Sequence, residues 1–554
     1  MRYNIILIFS AFILLSFINQ NSFGQNKDSF TKYDTLSGSN GEFRKRWDVL
    51  HYDISVEPDY TSKTIVGKNT ITFFDNGAKL MQIDLQQPMI ADSVIGRNGQ
   101  IAFRRDSNVI WVMLRDSAAM FKIKPDTNYI TIYFHGKPHE AKNPPWDGGW
   151  IWTRDKNGNP WFTVACQGNG GSLWYPCKDF QADKPDIGAK LRITVPDSLE
   201  AVGNGRFVET LKDFANKKTM VWEVTAPINT YNIVPYIGKY SHFKKEYKGL
   251  SGNLNLDYYV LEYNESKAES QFEQVPKMLE AFEYWFGSYP FYKDGYKLVE
   301  APYLGMEHQS AIAYGNKYQN GYLGRDLSNT GWGLKWDFII VHESAHEWFG
   351  NSITYKDVAD MWIHEGFAHY AESLFVEYYY EKKAGSEYVI GTRRNIKNDI
   401  PIIGKYGVNN TGSGDMYYKA ASMIHTIREI INDDKKFRKI LIKMNSQFYH
   451  SSVSTEEIEN FFIKETGLNL IPVFNQYLRT IEIPELEYSI KNKKLKYRWT
   501  NCVSGFKMPL NISTDDKNDI SIYPNEKWKS LKTKGNKILV DKNFLVKVKM
   551  ISLN

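Results

Sequence analysis

Residues 341–372 read VHESAHEWFGNSITYKDVADMWIHEGFAHYAE, and the chemistry of this stretch decides how the rest of the chain is understood. His342 and His346 stand four apart, a spacing that on a helix puts both imidazoles on one face with Cβ atoms about 5 to 6 Å apart. Two such imidazoles can share one metal ion. Glu343 sits one step round the helix, placed to reach a water at that metal but not to be a third ligand beside them. The flanks, Phe338 to Val341 and Trp348 to Phe349, are strongly apolar and predict a buried helix. Burying a carboxylate beside two imidazoles is costly without a cation to offset it. A catalytic zinc takes three protein ligands and keeps one open position, so a further donor is required. Glu365, separated from His346 by the rest of a first helix, a turn and the start of a second, is the candidate. Glu347, Glu372 and Glu377 compete with it on spacing alone.

Outward from this stretch the texture changes twice. Upstream of it, Phe272, Val275, Met278, Leu279, Phe282, Trp285 and Phe286 recur at three and four, one face of a helix. Helical patterning runs on to about Ile483, and includes Ser454 and Glu457 at the spacing of a capping box. From Trp47 to about Ser241, short alternating runs such as HYDISVEP (51–58) and KTIVGKNTITFF (63–74) are broken by Asn, Gly and Asp turns. After Pro484 strands return in LKYRWTN, GFKMPLNIS and FLVKVKMIS. The predicted architecture is multi-domain α+β: a β-sheet domain at 47–245, a mostly helical domain at 246–483 and a small C-terminal β-sandwich at 484–554.

The chain has 554 residues, 42% hydrophobic and 15% aromatic, enough to bury several cores. With 69 Lys and Arg against 63 Asp and Glu, and no block of like charges, charge points to no nucleic-acid or membrane-surface partner. The first residues carry one cation, Arg2, then an apolar run from Ile5 to Ile18 and small polar residues before Gln25. This is the layout of a cleavable export signal, residues 1–24, with residues 25–46 as a linker. The apolar run is shorter than the roughly 20 residues that span a bilayer. Export to a periplasm or the medium is the corresponding expectation. Three cysteines are too few for a disulfide framework; Cys166 and Cys177 could pair or stay buried thiols. No sequence feature specifies an oligomeric state.

With these residues in view, the chain resembles the zinc aminopeptidase family that includes aminopeptidase N and leukotriene hydrolase, a group of gluzincin metallopeptidases. HESAHEWFGN and WIHEGFAHY look like its two zinc-helix motifs, at the family's spacing. The resemblance implies a thermolysin-like catalytic domain, one zinc ion on His342, His346 and Glu365, and Glu343 as the general base. LGMEHQS (304–310) is similar to the family's exopeptidase motif, with Leu304 and His308 departing from it; this implies that Glu307 pairs with a substrate's free α-amino group. ACQGNGGSLWYPCKD (165–179) implies a substrate-binding role for Gln167. DMYYKAASMIH (415–425) implies a transition-state tyrosine at Tyr417, with Ala420 replacing a glycine and Tyr418 as a competitor. The resemblance is to a short form, because only about seventy residues follow Pro484. The expected function is removal of the N-terminal residue from peptides with a free N-terminus. A zinc endopeptidase and a non-catalytic exported peptide-binding protein are the alternatives.

Overall fold

The computed structural model describes residues 30–97, 99–114, 127–212, 216–514 and 519–552. The expected export signal, residues 1–24, lies outside them. Residues 32–45, expected as linker, instead form two short helices, Lys32–Gly38 and Glu42–Lys45. The first is closed by a capping box between Thr31 and Asp34. The second buries Arg44 completely, with its guanidinium 2.6 Å from the Asp84 carboxylate. These helices are held by polar contacts and not by an apolar stripe, so hydrophobic periodicity does not report them.

The N-terminal β domain is dominated by an eight-stranded sheet. Its central strands, Trp47–Asp59 and Thr64–Asp75, pair antiparallel along their whole length, and Trp47–Asp59 pairs parallel with Ala189–Pro196. Apolar side chains alternate inward along these strands, the period that puts one face of a sheet on a core. A smaller four-stranded sheet includes Gly149–Arg154 and Pro160–Ala165. The second of these ends two residues before Gln167 and so delivers it to the domain boundary.

The central domain begins with a mixed five-stranded sheet whose first strand, Tyr240–Gly249, crosses the boundary expected at 245/246. The strand order is Tyr240–Gly249, Gly252–Leu261, Tyr296–Glu300, Ile312–Tyr314, Gly305–Met306, which leaves Gly305–Met306 at the edge. Against this sheet lie helices Gln274–Phe286 and Phe338–Ala345, and helix Trp362–Thr392, broken at Tyr380 and Glu381, packs on both of them. The expected apolar face is the buried face of Gln274–Phe286, and Ser454 and Glu457 form the expected capping box.

The C-terminal unit contains a four-stranded and a three-stranded sheet. Its apolar residues Leu486, Trp499 and Phe506 join the same core as Tyr477 and Ile427 of the helical domain. Arg393 donates to the carbonyls of Lys542, Asn543 and Phe544, so the sandwich is docked by directed hydrogen bonds as well. The chain is therefore multi-domain α+β, with its last two units sharing one core. Among the described residues no helix is long and apolar enough to cross a membrane.

Candidate metal centre and substrate cleft

The helix Phe338–Ala345 is buried on every side, and its start is fixed by Asp337, whose carboxylate accepts from the amides of Ile339 and Ile340. That is an N-cap, and it satisfies donors that the helix itself cannot. Gln271, Tyr314 and Asn316 donate to the same carboxylate, tying the helix to the sheet and to the neighbouring helix. Against their pull, burial raises the Asp337 carboxyl to about 6.

His342 and His346 project from this helix toward Glu365 on the next one. Glu365 Oε2 lies 3.8 Å from His342 Nε2 and 3.4 Å from His346 Nε2. One ligand atom from each of the three falls within 4.8 Å of the others. The opposite ring nitrogens are already engaged: His342 Nδ1 with Glu372 Oε1 at 2.7 Å, and His346 Nδ1 with the Phe349 carbonyl at 3.0 Å. An acceptor at Nδ1 fixes the proton there and leaves the Nε2 lone pair for a metal.

Two further observations support a cation among these atoms. Glu365 Oε2 is buried without a hydrogen-bond partner. Burial works against charge here, yet the Glu365 carboxylate drives the His346 imidazole up to about 10, while His346 holds Glu365 down at about 2. Two imidazoles and one carboxylate, each presenting a free donor atom, match the donor set of a catalytic zinc site.

Glu343 lines the same cleft, and burial together with the nearby Glu307 carboxylate pushes it well above the usual carboxylate range. The edge strand passes so close that a Cβ at Gly305 would lie 2.9 Å from Glu343 Oε1 and 2.8 Å from Ile339 Cδ1. Glycine at 305 is thus what lets the strand approach the carboxylate. Glu307 follows at the end of this strand and is buried; burial raises its carboxyl against the pull of His346.

Gln167 reaches across from the β domain and donates to Glu307 Oε1 at 2.5 Å and to Glu365 Oε1 at 3.4 Å. Tyr231, also of the β domain, donates to Glu307 Oε1 at 3.1 Å. The turn that follows helix Phe338–Ala345 grips the Glu307 loop from behind: Asn351 Nδ2 donates to the Glu307 carbonyl at 2.8 Å, and Glu347 Oε1 accepts from the Ser310 amide at 2.9 Å.

Tyr417 lines the cleft beside the imidazole of His342, with ring centroids 6.2 Å apart, and its hydroxyl faces Glu365. Burial, then the surrounding carboxylates, raise its hydroxyl well above the ordinary range, so it stays a proton donor. Tyr418 lines the same cleft but turns its ring edge-on to His369, with centroids 4.8 Å apart. Helix Trp362–Thr392, which carries Glu365, meets helix Tyr418–Ile431, which Tyr417 precedes, at Gly366 and Ala420: a Cβ on Gly366 would lie 2.8 Å from that of Ala420. The methyl of Ala420 thus fits because residue 366 has no side chain.

All seven predicted site residues border one cleft of about 470 Å³. The competing carboxylates serve elsewhere. Glu347 is used as above, Glu377 is paired with Arg428, and Glu372 accepts from His342, His369 and Tyr388. His308 and His364 are fully buried and engaged by Tyr236 and the Tyr355 amide. Cys166 and Cys177 are both free and buried. Tyr231 was not anticipated from the sequence, because it lies far from every motif. The orienting role of Glu372 had one sequence signal, its position seven residues after Glu365 on the same helix.

Residues 270–477 match the peptidase family M1 domain. The chain is 22% identical over 478 residues to probable aminopeptidase 2 of Sulfurisphaera tokodaii, covering 81% of this chain and 58% of that protein. It is 21% identical over 511 residues to the mitochondrial aminopeptidase 2 of Saccharomyces cerevisiae, covering 88% and 51%. The chain thus spans about half the length of these curated relatives. Among solved structures, the M1 zinc metallopeptidase of Deinococcus radiodurans with a Tyr-Ser-Ala substrate superimposes with a TM-score of 0.64 at 19% identity, covering 79% of this chain and 95% of that one.

Proposed function

We propose, on the premise that residues 270–477 are a peptidase family M1 domain, that the protein is a zinc-dependent aminopeptidase acting on peptides with a free N-terminus. The observation that carries this reading is the placement of Glu307, braced by Gln167 and Tyr231, in the cleft that also holds His342, His346 and Glu365. His342, His346 and Glu365 would hold a single zinc, which when bound would supply a Lewis acid for a carbonyl and lower the pKa of a water toward about 7.

The chain's own groups do the remainder. Glu307 attracts the substrate's terminal ammonium, and Gln167, whose amide nitrogen is spent on Glu307 and Glu365, offers its carbonyl oxygen to the same ammonium. This sets the distance from the amino terminus to the scissile bond. The free side of the Gly305–Met306 edge strand offers backbone groups to an extended substrate. Glu343 accepts the proton of the attacking water and returns it to the leaving amine. Tyr417 donates a hydrogen bond to the oxyanion that develops at the scissile carbonyl.

The apolar run Ile5–Ile18 supports export of the mature chain to a periplasm or the medium. The function is tested with aminoacyl fluorogenic substrates, free and N-acetylated, with chelator and with zinc restored. Release from the free amines alone, lost on chelation and regained with zinc, is the expected result. Release that ignores acetylation assigns an endopeptidase, and no release from a zinc-loaded chain refutes enzymatic function.

A further inference from the structure

The loop 142–147, KNPPWD, contributes Pro145 and Trp146 to the lining of the cleft, together with Gln167 and Gly168. Its backbone is pinned: Asp147 Oδ2 accepts from the amides of Lys142 and Asn143 at 2.7 and 2.8 Å. The Asp147 carbonyl accepts from Asn169 Nδ2 at 2.6 Å, which ties the loop to a residue two positions from Gln167. The loop is therefore held beside the segment that carries Gln167.

Trp146 is carried on this pinned loop, lines the cleft and leaves 65% of its surface exposed. Most of the chain's tryptophans are buried, Trp47, Trp150, Trp174, Trp222, Trp336 and Trp348 to 4% or less. An indole held out from the body by a fixed backbone at the mouth of a cleft offers a broad apolar face with no protein partner to cover it.

The other walls share its character. Leu327, Phe338, Met361 and Met416 border the same space, and the carboxyl groups that line it among the described residues are those of Glu307, Glu343 and Glu365. Each of these has a task in the reading above, and among the described residues no Lys or Arg lines the cleft. The cleft thus has no spare charge with which to pair a charged side chain.

We propose that Trp146 is the platform on which the side chain of the substrate's first residue packs, so that the enzyme takes peptides beginning with a bulky apolar or aromatic residue. The inference rests on the aminopeptidase reading, which sets the first residue's Cα between the ammonium held by Glu307 and Gln167 and the carbonyl at the metal. From there its side chain has the Trp146 wall on the ammonium side.

The test compares zinc-loaded wild type with Trp146→Ala and Trp146→Phe on Phe, Leu, Ala, Arg and Glu aminoacyl coumarins. Wild type favours Phe and Leu, the Phe-to-Ala ratio of kcat/KM falls about tenfold in Trp146→Ala, and Trp146→Phe recovers most of it. An unchanged ratio in Trp146→Ala, or a wild-type preference for Arg or Glu, overturns the proposal. Calorimetric binding of free L-phenylalanine and L-alanine separates this from failure of the aminopeptidase reading. If wild type cleaves nothing, selective loss of L-phenylalanine binding in Trp146→Ala still supports the platform, and equal binding by the two chains overturns it.

Discussion

Glu372 touches no substrate, yet the arrangement around it predicts a measurable effect on the metal. Its Oε1 accepts from His342 Nδ1 at 2.7 Å and His369 Nδ1 at 2.9 Å, and its Oε2 accepts from the Tyr388 hydroxyl at 2.6 Å. Burial opposes its charge, but His369 and His342 hold it ionised, with a pKa of about 2. A carboxylate behind a ligating imidazole fixes the ring and raises its basicity, and losing such a group typically costs about 10 to 100-fold in metal affinity.

Glu372→Gln keeps an oxygen for the two imidazoles if its amide turns toward Tyr388, so only the charge is lost. The zinc dissociation constant should rise about tenfold, roughly 1.4 kcal/mol. Glu372→Leu removes the acceptor altogether, and about a 100-fold rise, roughly 2.7 kcal/mol, is expected. It also leaves donors of His369 and Tyr388 unsatisfied, each costing about 1 to 3 kcal/mol of stability. Competition with a chromogenic chelator reads the affinities without reference to turnover, and melting of the metal-free proteins reads the stability separately. Wild-type zinc affinity in Glu372→Leu would refute the reasoning, because it would mean that His342 needs no support.

Three further outcomes are expected. Tyr417→Phe should lower kcat by about 100 to 1,000-fold with little change in KM, while Tyr418→Phe stays within a few-fold of wild type; equal effects would dissolve the distinction drawn from their ring positions. Glu307→Ala should narrow the gap between free and N-acetylated substrates, and a preserved gap in steady-state kinetics would remove Glu307 from ammonium recognition. Lys184, buried with its ammonium on the carbonyls of Asn351 and Ser352, is pushed by burial down to about 7. Because the unfolded chain holds that proton up to its ordinary pKa near 10.4, stability should rise from about pH 7 to pH 10 by at most about 1.4 kcal/mol per unit. Denaturant melts at pH 7, 8 and 9 should show this slope in wild type and not in Lys184→Met; identical slopes would contradict it.

How much of this was legible beforehand follows from the range of each interaction. His342, His346 and Glu343 lie within one helical turn or so, and their spacing alone reports a shared face. Glu365 is one turn and one helix away, so spacing leaves Glu347, Glu372 and Glu377 in competition until their hydrogen bonds are seen. The brace of Gln167 and Tyr231 on Glu307 joins two domains, and nothing local to any of the three residues encodes it. Trp146 could not be told from a core tryptophan by sequence, because its exposure depends on a backbone pinned by Asp147 and Asn169. The helices at 32–45 are not legible in the sequence for the opposite reason: they are short, and polar contacts to the β domain hold them in place. The strand Tyr240–Gly249 crossed the expected boundary because alternation continues through it, while the sheet it joins belongs to the next domain.

The central claim, that this cleft removes residues one at a time from a free amino terminus, is tested most directly by following a ten-residue peptide by mass spectrometry. The peptide is offered free and N-acetylated to zinc-loaded wild type and to Glu343→Gln of equal zinc content. The account predicts a ladder shortened from the N-terminus for the free peptide with wild type, and no products in the other three combinations. Internal cleavage of the acetylated peptide by wild type, or an undiminished ladder with Glu343→Gln, would contradict it.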